Sequence, residues 1–321
     1  MQGIRPLFFF VLFFLAGSYS FSQDIEFSQF YANPLTLNPA LSGSTGAPRV
    51  VVNYRNQWPG LGNAYVTYHA SYDMYLEPMH GGAGIDCWFD QTGNGALTTA
   101  SVSLMYAYQF KISEKLQASG AVRAGYYMTA LNTSKLTTRD RDSYLYEKLD
   151  HSSVGVPDFG AGIFLMYNEV LYGGVAVDHL SQPDVGFSSN ERSPLYMKLT
   201  MHAGALINLD NGYRDEEREF SLSPNVLYQQ QGMFHQLNLG IYLTFDPLVV
   251  GAWYRFNFEN SDAVVPMLGF HWKNLFIAYS YDYSISKLNN ASGGAHEVSA
   301  SWRFNPVEKR RVIKAIKCPV F

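Results

Sequence analysis

After its first twenty-two residues, the chain has no apolar run approaching the ~20 residues that a membrane-crossing helix needs, so the rest of the sequence offers no helical anchor. Charge is also scarce. Asp, Glu, Lys and Arg make up 16% of the 321 residues, against about 25% in soluble domains. The net charge of −4 selects no class of partner, and no nucleic acid is expected. There are only two cysteines, Cys87 and Cys318. They lie too far apart in sequence for a disulfide framework and lack metal-ligand spacing, so both read as free thiols. Catalytic signatures are missing too. The eight histidines are scattered, with no H-E-x-x-H, no Gly-x-Ser-x-Gly and no phosphate-cradling glycine loop at a strand-to-helix junction. Gly81-Gly82-Ala83-Gly84 falls at a strand start, where small residues ease barrel curvature. The acidic group Asp210, Asp215, Glu216 and Glu217 matches no calcium-loop spacing, and Arg139 to Asp142 reads as a hydrated loop. No enzyme, cofactor or metal is expected.

What is present is a two-residue rhythm. Ala64, Val66, Tyr68, Ala70, Tyr72 and Met74 alternate with Tyr65, Thr67, His69, Ser71 and Asp73. Leu237, Leu239, Ile241, Leu243 and Phe245 alternate likewise with Gln236, Asn238, Gly240, Tyr242 and Thr244. Successive side chains of a strand point to opposite faces, so each segment has one apolar and one polar side. Segments of about ten such residues suit a transmembrane barrel, with lipid outside and a polar lumen within. Aromatics reach 16%, with 23 Tyr and 22 Phe, as an interfacial belt requires. A mean hydropathy of −0.11 hides this pattern, because only alternate residues face lipid.

Residues 1–22 read as a secretory signal peptide: Arg5, an apolar run from Leu7 to Ala16, and small residues before a cleavage near Ser22–Gln23. Export without a spanning helix points to the outer membrane. Fourteen strands are expected, at about 48–58, 63–75, 80–90, 96–110, 115–131, 157–167, 169–180, 195–209, 218–229, 233–245, 247–257, 262–273, 274–284 and 294–304. Tight junctions at Lys111–Lys115, Tyr167–Glu169, Phe245–Pro247 and Trp272–Asn274 alternate with the long linkers 132–156, 181–194 and 285–293. Short turns belong to the periplasmic side, which puts both ends of the 48–304 barrel there. The polar parity places Arg55, Arg123, Lys198, His202, Arg255 and Arg303 inside. Val102, Leu104, Tyr106 and Tyr108, with Val298, Ala300, Trp302 and Phe304, fall outside. Two pieces are expected outside the barrel, in the periplasm: a turn-rich N-terminal segment, 23–47, and a basic tail, 305–321.

Several blocks resemble one family. Asp24-Ile25-Glu26-Phe27-Ser28-Gln29-Phe30-Tyr31-Ala32-Asn33-Pro34 with Leu37-Asn38-Pro39-Ala40, Asn53 to Pro59, Tyr281 to Leu288 with Gly293 to Ser299, and the Lys317-Cys318-Pro319-Val320-Phe321 ending are similar to PorP/SprF proteins. These belong to the type IX secretion system of Bacteroidetes. The resemblance implies an outer-membrane barrel that supports protein secretion, and gliding motility where that occurs. It also implies periplasmic ring or peptidoglycan-linked partners, and in some paralogues one large secreted adhesin as client. It carries no catalytic residues. Partner-binding candidates are Tyr54, Arg55, Asn56, Gln57 and Trp58, together with Lys309, Arg310, Arg311, Lys314, Lys317 and Cys318 of the tail. Trp58 also reads as an interfacial anchor at the rim of the first strand. The rival reading is a channel for hydrophobic or small solutes.

Overall fold

Because side chains alternate across a strand, a chain with lipid on one face and protein on the other can satisfy every backbone group only by closing its sheet into a barrel. The computed structural model shows that closure, and describes residues 24–62, 64–135, 152–188, 192–209, 220–257, 260–285 and 293–304. The strands are β1 (Arg49–Gln57), β2 (Tyr65–Leu76), β3 (Gly81–Thr92), β4 (Leu97–Lys111), β5 (Leu116–Leu131), β6 (Ser153–Tyr167) and β7 (Leu171–Asp178). They continue as β8 (Lys198–Ala205, resuming at Ile207–Asn208), β9 (Phe220–Gln231), β10 (Phe234–Phe245), β11 (Leu248–Asn257), β12 (Asn260–Trp272), β13 (Leu275–Ser284) and β14 (Ala295–Arg303). Both pieces of β8 pair with β9 in the same register, Gly204 opposite Asn225 and Ile207 opposite Leu222, so they form one strand interrupted at Leu206. Each strand pairs antiparallel with its sequence neighbours, and β14 returns to β1 with Arg49 opposite Arg303. The result is a closed fourteen-stranded antiparallel barrel.

The alternation holds strand by strand. On β4, Val102 and Leu104 are exposed outward while Ser101 and Ser103 are buried inward. On β10, Leu239, Ile241, Leu243 and Phe245 face out, with Gln236, Asn238, Tyr242 and Thr244 inside. Arg55, Arg123, His202 and Arg255 are buried in the lumen as their parity requires. Connections at one end are 58–64, 93–96, 132–152, 179–197, 232–233, 258–259 and 285–294. Those at the other end are 77–80, 112–115, 168–170, 209–219, 246–247 and 273–274. The first set contains the three expected long linkers. Both ends of the barrel wall meet at the short-turn end, where Phe304 N–H donates to Pro48 O (2.9 Å).

The N-terminal segment departs from expectation. Residues 24–47 do not lie outside the barrel: they run through its lumen. Asp24 lies beside Lys198 and Gln231 at the long-loop end, while Gly43 donates its N–H to Asp73 at the short-turn end (2.8 Å). Three short helical turns, Phe30–Ala32, Pro34–Leu37 and Pro39–Leu41, fold the segment so that Phe30, Tyr31, Leu35, Leu37 and Leu41 are all buried. Asn38 caps the last of these by accepting the Ala40 N–H (2.9 Å). Within the Gly81–Gly84 run, Gly82 and Gly84 make room for this segment. A Cβ on Gly82 would collide with the Ser42 carbonyl, and one on Gly84 would come within 2.9 Å of the Leu35 side chain. Close approach of backbone to wall, more than curvature, explains these glycines.

A cation at the lipid midplane costs about 2–4 kcal/mol. Leu239→Arg and Val102→Arg, each replacing a half-exposed outward side chain, are expected to lose that much in a denaturant titration of the barrel refolded into vesicles. Unchanged stability in both would refute the assigned outer face.

Candidate functional site

Four buried charges converge on Ser28. Arg55 on β1, Arg255 on β11, Asp282 on β13 and Glu297 on β14 all point into the lumen and are nearly inaccessible to solvent. Arg55 pairs with Asp282 (3.1 Å) and Glu297 (3.1 Å), and Arg255 with Asp282 (3.0 Å). The Ser28 hydroxyl accepts from both arginines and donates to Asp282 Oδ2 (2.7 Å). Its backbone N–H donates to Glu297 Oε2 (2.6 Å), and the next N–H, of Gln29, donates to Glu297 Oε1 (3.2 Å). The Gln29 amide donates to Glu297 O (3.0 Å) and Ser280 Oγ (3.1 Å), and its oxygen accepts from Ser299. Asn53 donates to Glu297 Oε1 (2.9 Å). Gln236 of the wall donates to Glu26, whose carboxylate also lies 3.7 Å from Arg255. The segment thus supplies the donors and acceptors that buried charges require.

A second anchor sits at the long-loop mouth. His179, just past β7, is held between Asp158 Oδ1 on Nδ1 (2.9 Å) and Asp24 Oδ2 on Nε2 (3.0 Å). Lys198 lies 3.5 Å from the same Asp24 oxygen, and the Asp24 N–H donates to Gln231 Oε1 (2.9 Å). Burial alone would push the imidazolium toward deprotonation. The Asp24 carboxylate and the hydrogen bonds that His179 donates to both acids outweigh it and raise the His179 pKa from 6.5 to about 10. Burial likewise opposes the Asp24 charge, and attraction to His179 and Lys198 more than offsets it, holding that carboxyl below its usual range. The following loop folds inward over this anchor. Val185 and Leu195 are buried against Trp88 and Tyr127, with Ile25 and Val156 packed alongside.

Toward the short turns the segment packs on aromatic and aliphatic side chains. Phe30 meets Trp253 edge-on (5.3 Å between centroids, 69°), and Tyr31 meets Tyr172 (6.0 Å, 87°). Leu37, Ala40 and Leu41 join Phe164, Tyr242, Val249, Met267 and Phe276 in one apolar cluster. Asn38 donates to Ile163 O (3.1 Å) and approaches His202 Nε2 (3.2 Å). A Cβ on Gly162 would collide with the Asn38 side-chain oxygen, so the wall is shaped around the segment here as well. Below, Arg49 grips Asp73 through two bonds (2.9 and 3.0 Å), and Asp73 Oδ2 also accepts from Gly43.

The candidate block on β1 does not form one patch. Tyr54 faces outward and stacks at a tilt on Tyr68 (5.3 Å), whereas Arg55 faces inward. Gln57 accepts from Arg55 Nη2 (3.4 Å), and Asn56 and Gln57 are both partly buried. Trp58 turns the chain at φ +58°, its N–H donating to Gly294 O (2.8 Å) and its ring edge-on to Tyr65 (5.3 Å). Arg55 therefore binds the chain's own N-terminal segment. Lys309, Arg310, Arg311, Lys314, Lys317 and Cys318 lie outside the described residues, as do Arg139 to Asp142 and the acidic group from Asp210 to Glu217. Sequence reasoning missed Ser28, Gln29, Asp282, Glu297 and the Asp24–His179 pair. Among the described residues no three His, Cys, Asp or Glu cluster as a metal site.

A family model described as "Type IX secretion system membrane protein PorP/SprF" matches residues 19–302. No curated protein matches the chain. Among solved structures, the Ralstonia pickettii toluene transporter TbuX is similar at a TM-score of 0.50 and 12% identity, covering 84% of this chain and 93% of its own. The Acinetobacter baumannii outer membrane protein Omp33 scores 0.46 at 8% identity, covering 81% and 99%. At such identities the TbuX likeness bears on the barrel fold alone.

Removing one partner of a buried ion pair costs about 3–5 kcal/mol, because the other charge is left stranded. Arg55→Ala is expected to release the N-terminal segment, so that chymotrypsin cleaves after Phe27, Phe30 or Tyr31 while the barrel keeps its heat-resistant migration. Tyr54→Ala, one residue away but outward, should leave the segment protected. The mouth anchor has its own pH signature. A pKa raised on folding means that His179 stabilises fully below about pH 6.5 and loses that contribution as pH rises through about 10. The melting-temperature gap between the native protein and His179→Gln should be present at about pH 8 and shrink by about pH 11. A gap independent of pH would refute the charged anchor.

Proposed function

We propose that this chain, which belongs to the PorP/SprF family of type IX secretion system membrane proteins, serves its secretion machine by binding. The filled lumen carries this reading. A solute channel needs a continuous path along its axis, and here residues 24–41 occupy that axis from the charged mouth to the aromatic end. A segment fixed by four buried charges at one level and by packed rings at the next is part of the fold, and displacing it would take the Ser28 and Gln29 hydrogen bonds away from those buried charges. The barrel is therefore a membrane-anchored scaffold, and what it offers to other proteins lies on its rims, turns and outer wall.

The short-turn end faces the periplasm in this proposal, following the asymmetry of the connections. The chain leaves the barrel there at Phe304, and the tail carrying Lys309, Arg310, Arg311, Lys314 and Lys317 continues from that point. A cationic tail starting at the periplasmic rim suits docking to secretion-ring or peptidoglycan-linked components, with one large adhesin as the exported client. No catalytic step is assigned. The channel reading, which would extend the toluene-transporter fold to this chain, requires the N-terminal segment to move aside.

Crosslinked pull-down of the tagged barrel from outer membranes, read by mass spectrometry, is expected to recover secretion-ring components or a single large surface protein. In planar bilayers the intact barrel should be silent, and a variant lacking residues 24–41 should conduct. Steady conductance by the intact barrel together with no recovered partner would overturn the binding role in favour of the channel.

A further inference from the structure

The outer wall is not uniformly convex. Outward residues of β6 to β9 fall into register rows: Leu165 stands opposite Gly173, Gly173 opposite Ala203, and Ala203 opposite Val226. The two central positions of this row carry at most a methyl group, and the row toward the long loops is bulky, while toward the short turns the small side chains continue at Ala205 opposite Leu171. Toward the long loops the row reads Ile163, Val175, Met201 and Tyr228, and toward the short turns Tyr167 stands opposite Leu171. The outcome is a recess of about 630 Å³ on the lipid-facing side, reaching across to Leu116 at the start of β5. No charged side chain lines it.

We propose that this recess seats one glycerophospholipid, its acyl chain lying over Gly173 and Ala203 and its headgroup at the short-turn rim. Three observations select that occupant. The recess is continuous with the apolar wall that meets lipid, where Ile163 and Leu171 are exposed. Its interior matches hydrocarbon, and filling it removes apolar surface from a void that straight bilayer chains would otherwise bridge. Its short-turn edge changes character abruptly. Lys115 adjoins Leu116, and its carbonyl accepts the N–H of Asn168 (2.6 Å), which brings the β4–β5 and β6–β7 turns together. Exposed Lys111, Glu114, Lys115 and Glu169 place both signs of charge at that rim, complementing a zwitterionic phosphate-and-ammonium headgroup. The seat does not depend on any secretion partner, so it stands or falls separately from the proposed binding role.

The test uses purified full-length barrel in vesicles containing phosphatidylethanolamine with a photoreactive acyl chain. Crosslinks are expected to concentrate on residues 163–175 and 201–203, and native mass spectrometry should find one retained phospholipid after a delipidating wash. Ala203→Trp, which fills the recess from an already exposed position, should lower retention about tenfold, equivalent to about 1.4 kcal/mol. Val52→Trp, at an exposed outward position on β1 across the barrel, should not change it. Ala203→Leu, a smaller filler, provides the same comparison should the Trp variant fail to insert. Crosslinks spread evenly around the barrel would mean ordinary surrounding lipid and overturn the proposal. So would retention unchanged by filling, or a protein crosslinked at the recess in native membranes.

Discussion

Charges buried inside a protein are tolerated only when every one of them is partnered, and the interior of this barrel is organised by that constraint. Arg55, Arg255, Asp282 and Glu297 come from four strands of the wall, yet the wall alone does not complete their hydrogen bonding. Ser28 and Gln29 supply a hydroxyl, two backbone N–H groups and an amide at that point. Wall and segment depend on each other: without the segment the carboxylates lose the Ser28 and Gln29 donors, and without the wall the segment has no regular structure to satisfy its backbone. The charges sum to zero over the two arginines and two acids, so the cluster can be buried without an unpaired ion.

Along the barrel axis this produces two regimes. Near the long loops, polar and ionic contacts fix the segment at residues with distant sequence partners, Asp24 with His179 and Ser28 with Glu297. Near the short turns, aromatic and aliphatic packing takes over, from Phe30 against Trp253 to Leu41 in the same cluster. The ionic level sets position, since charge pairs have few acceptable geometries. The apolar level adds close packing between rings and aliphatic side chains of segment and wall. A segment held by only one of the two would be either well placed but loosely packed, or packed but able to slide.

The wall was legible in the sequence because its signal has a period of two, and each strand repeats it. Val102, Leu104, Leu239 and Ile241 lie outside, and Arg55, Arg123 and Arg255 inside, as parity alone indicates. Strand ends were less exact: β6 begins at Ser153, earlier than expected, because its pairing with β5 continues to Ala130. What parity does not reveal is which inward charge meets which. That Arg55 stands opposite Glu297 depends on the register between the first strand and the last, which closes the barrel. The lumenal segment was read as an outside piece because it has no period at all. Asn33-Pro34 and Asn38-Pro39 announce turns, and turn signals carry no information about location. A better clue lay in its composition, as Phe27, Phe30, Tyr31, Leu35, Leu37 and Leu41 are more apolar surface than a solvated linker would carry.

The same alternation undoes the idea of a continuous recognition patch on β1. Tyr54 and Arg55 are adjacent in sequence but separated by the thickness of the wall, so no external partner can touch both. For a barrel whose lumen is occupied, this has a general consequence: recognition must use turns, rims and outward residues two apart in sequence. Outward rows built across neighbouring strands are then the natural unit of surface design, as the Leu165, Gly173, Ala203 and Val226 row illustrates. Inward residues remain indispensable in a different way. They fix Asp24 at the long-loop mouth and Gly43 at the short-turn end, tying the segment to the wall at both ends of the barrel.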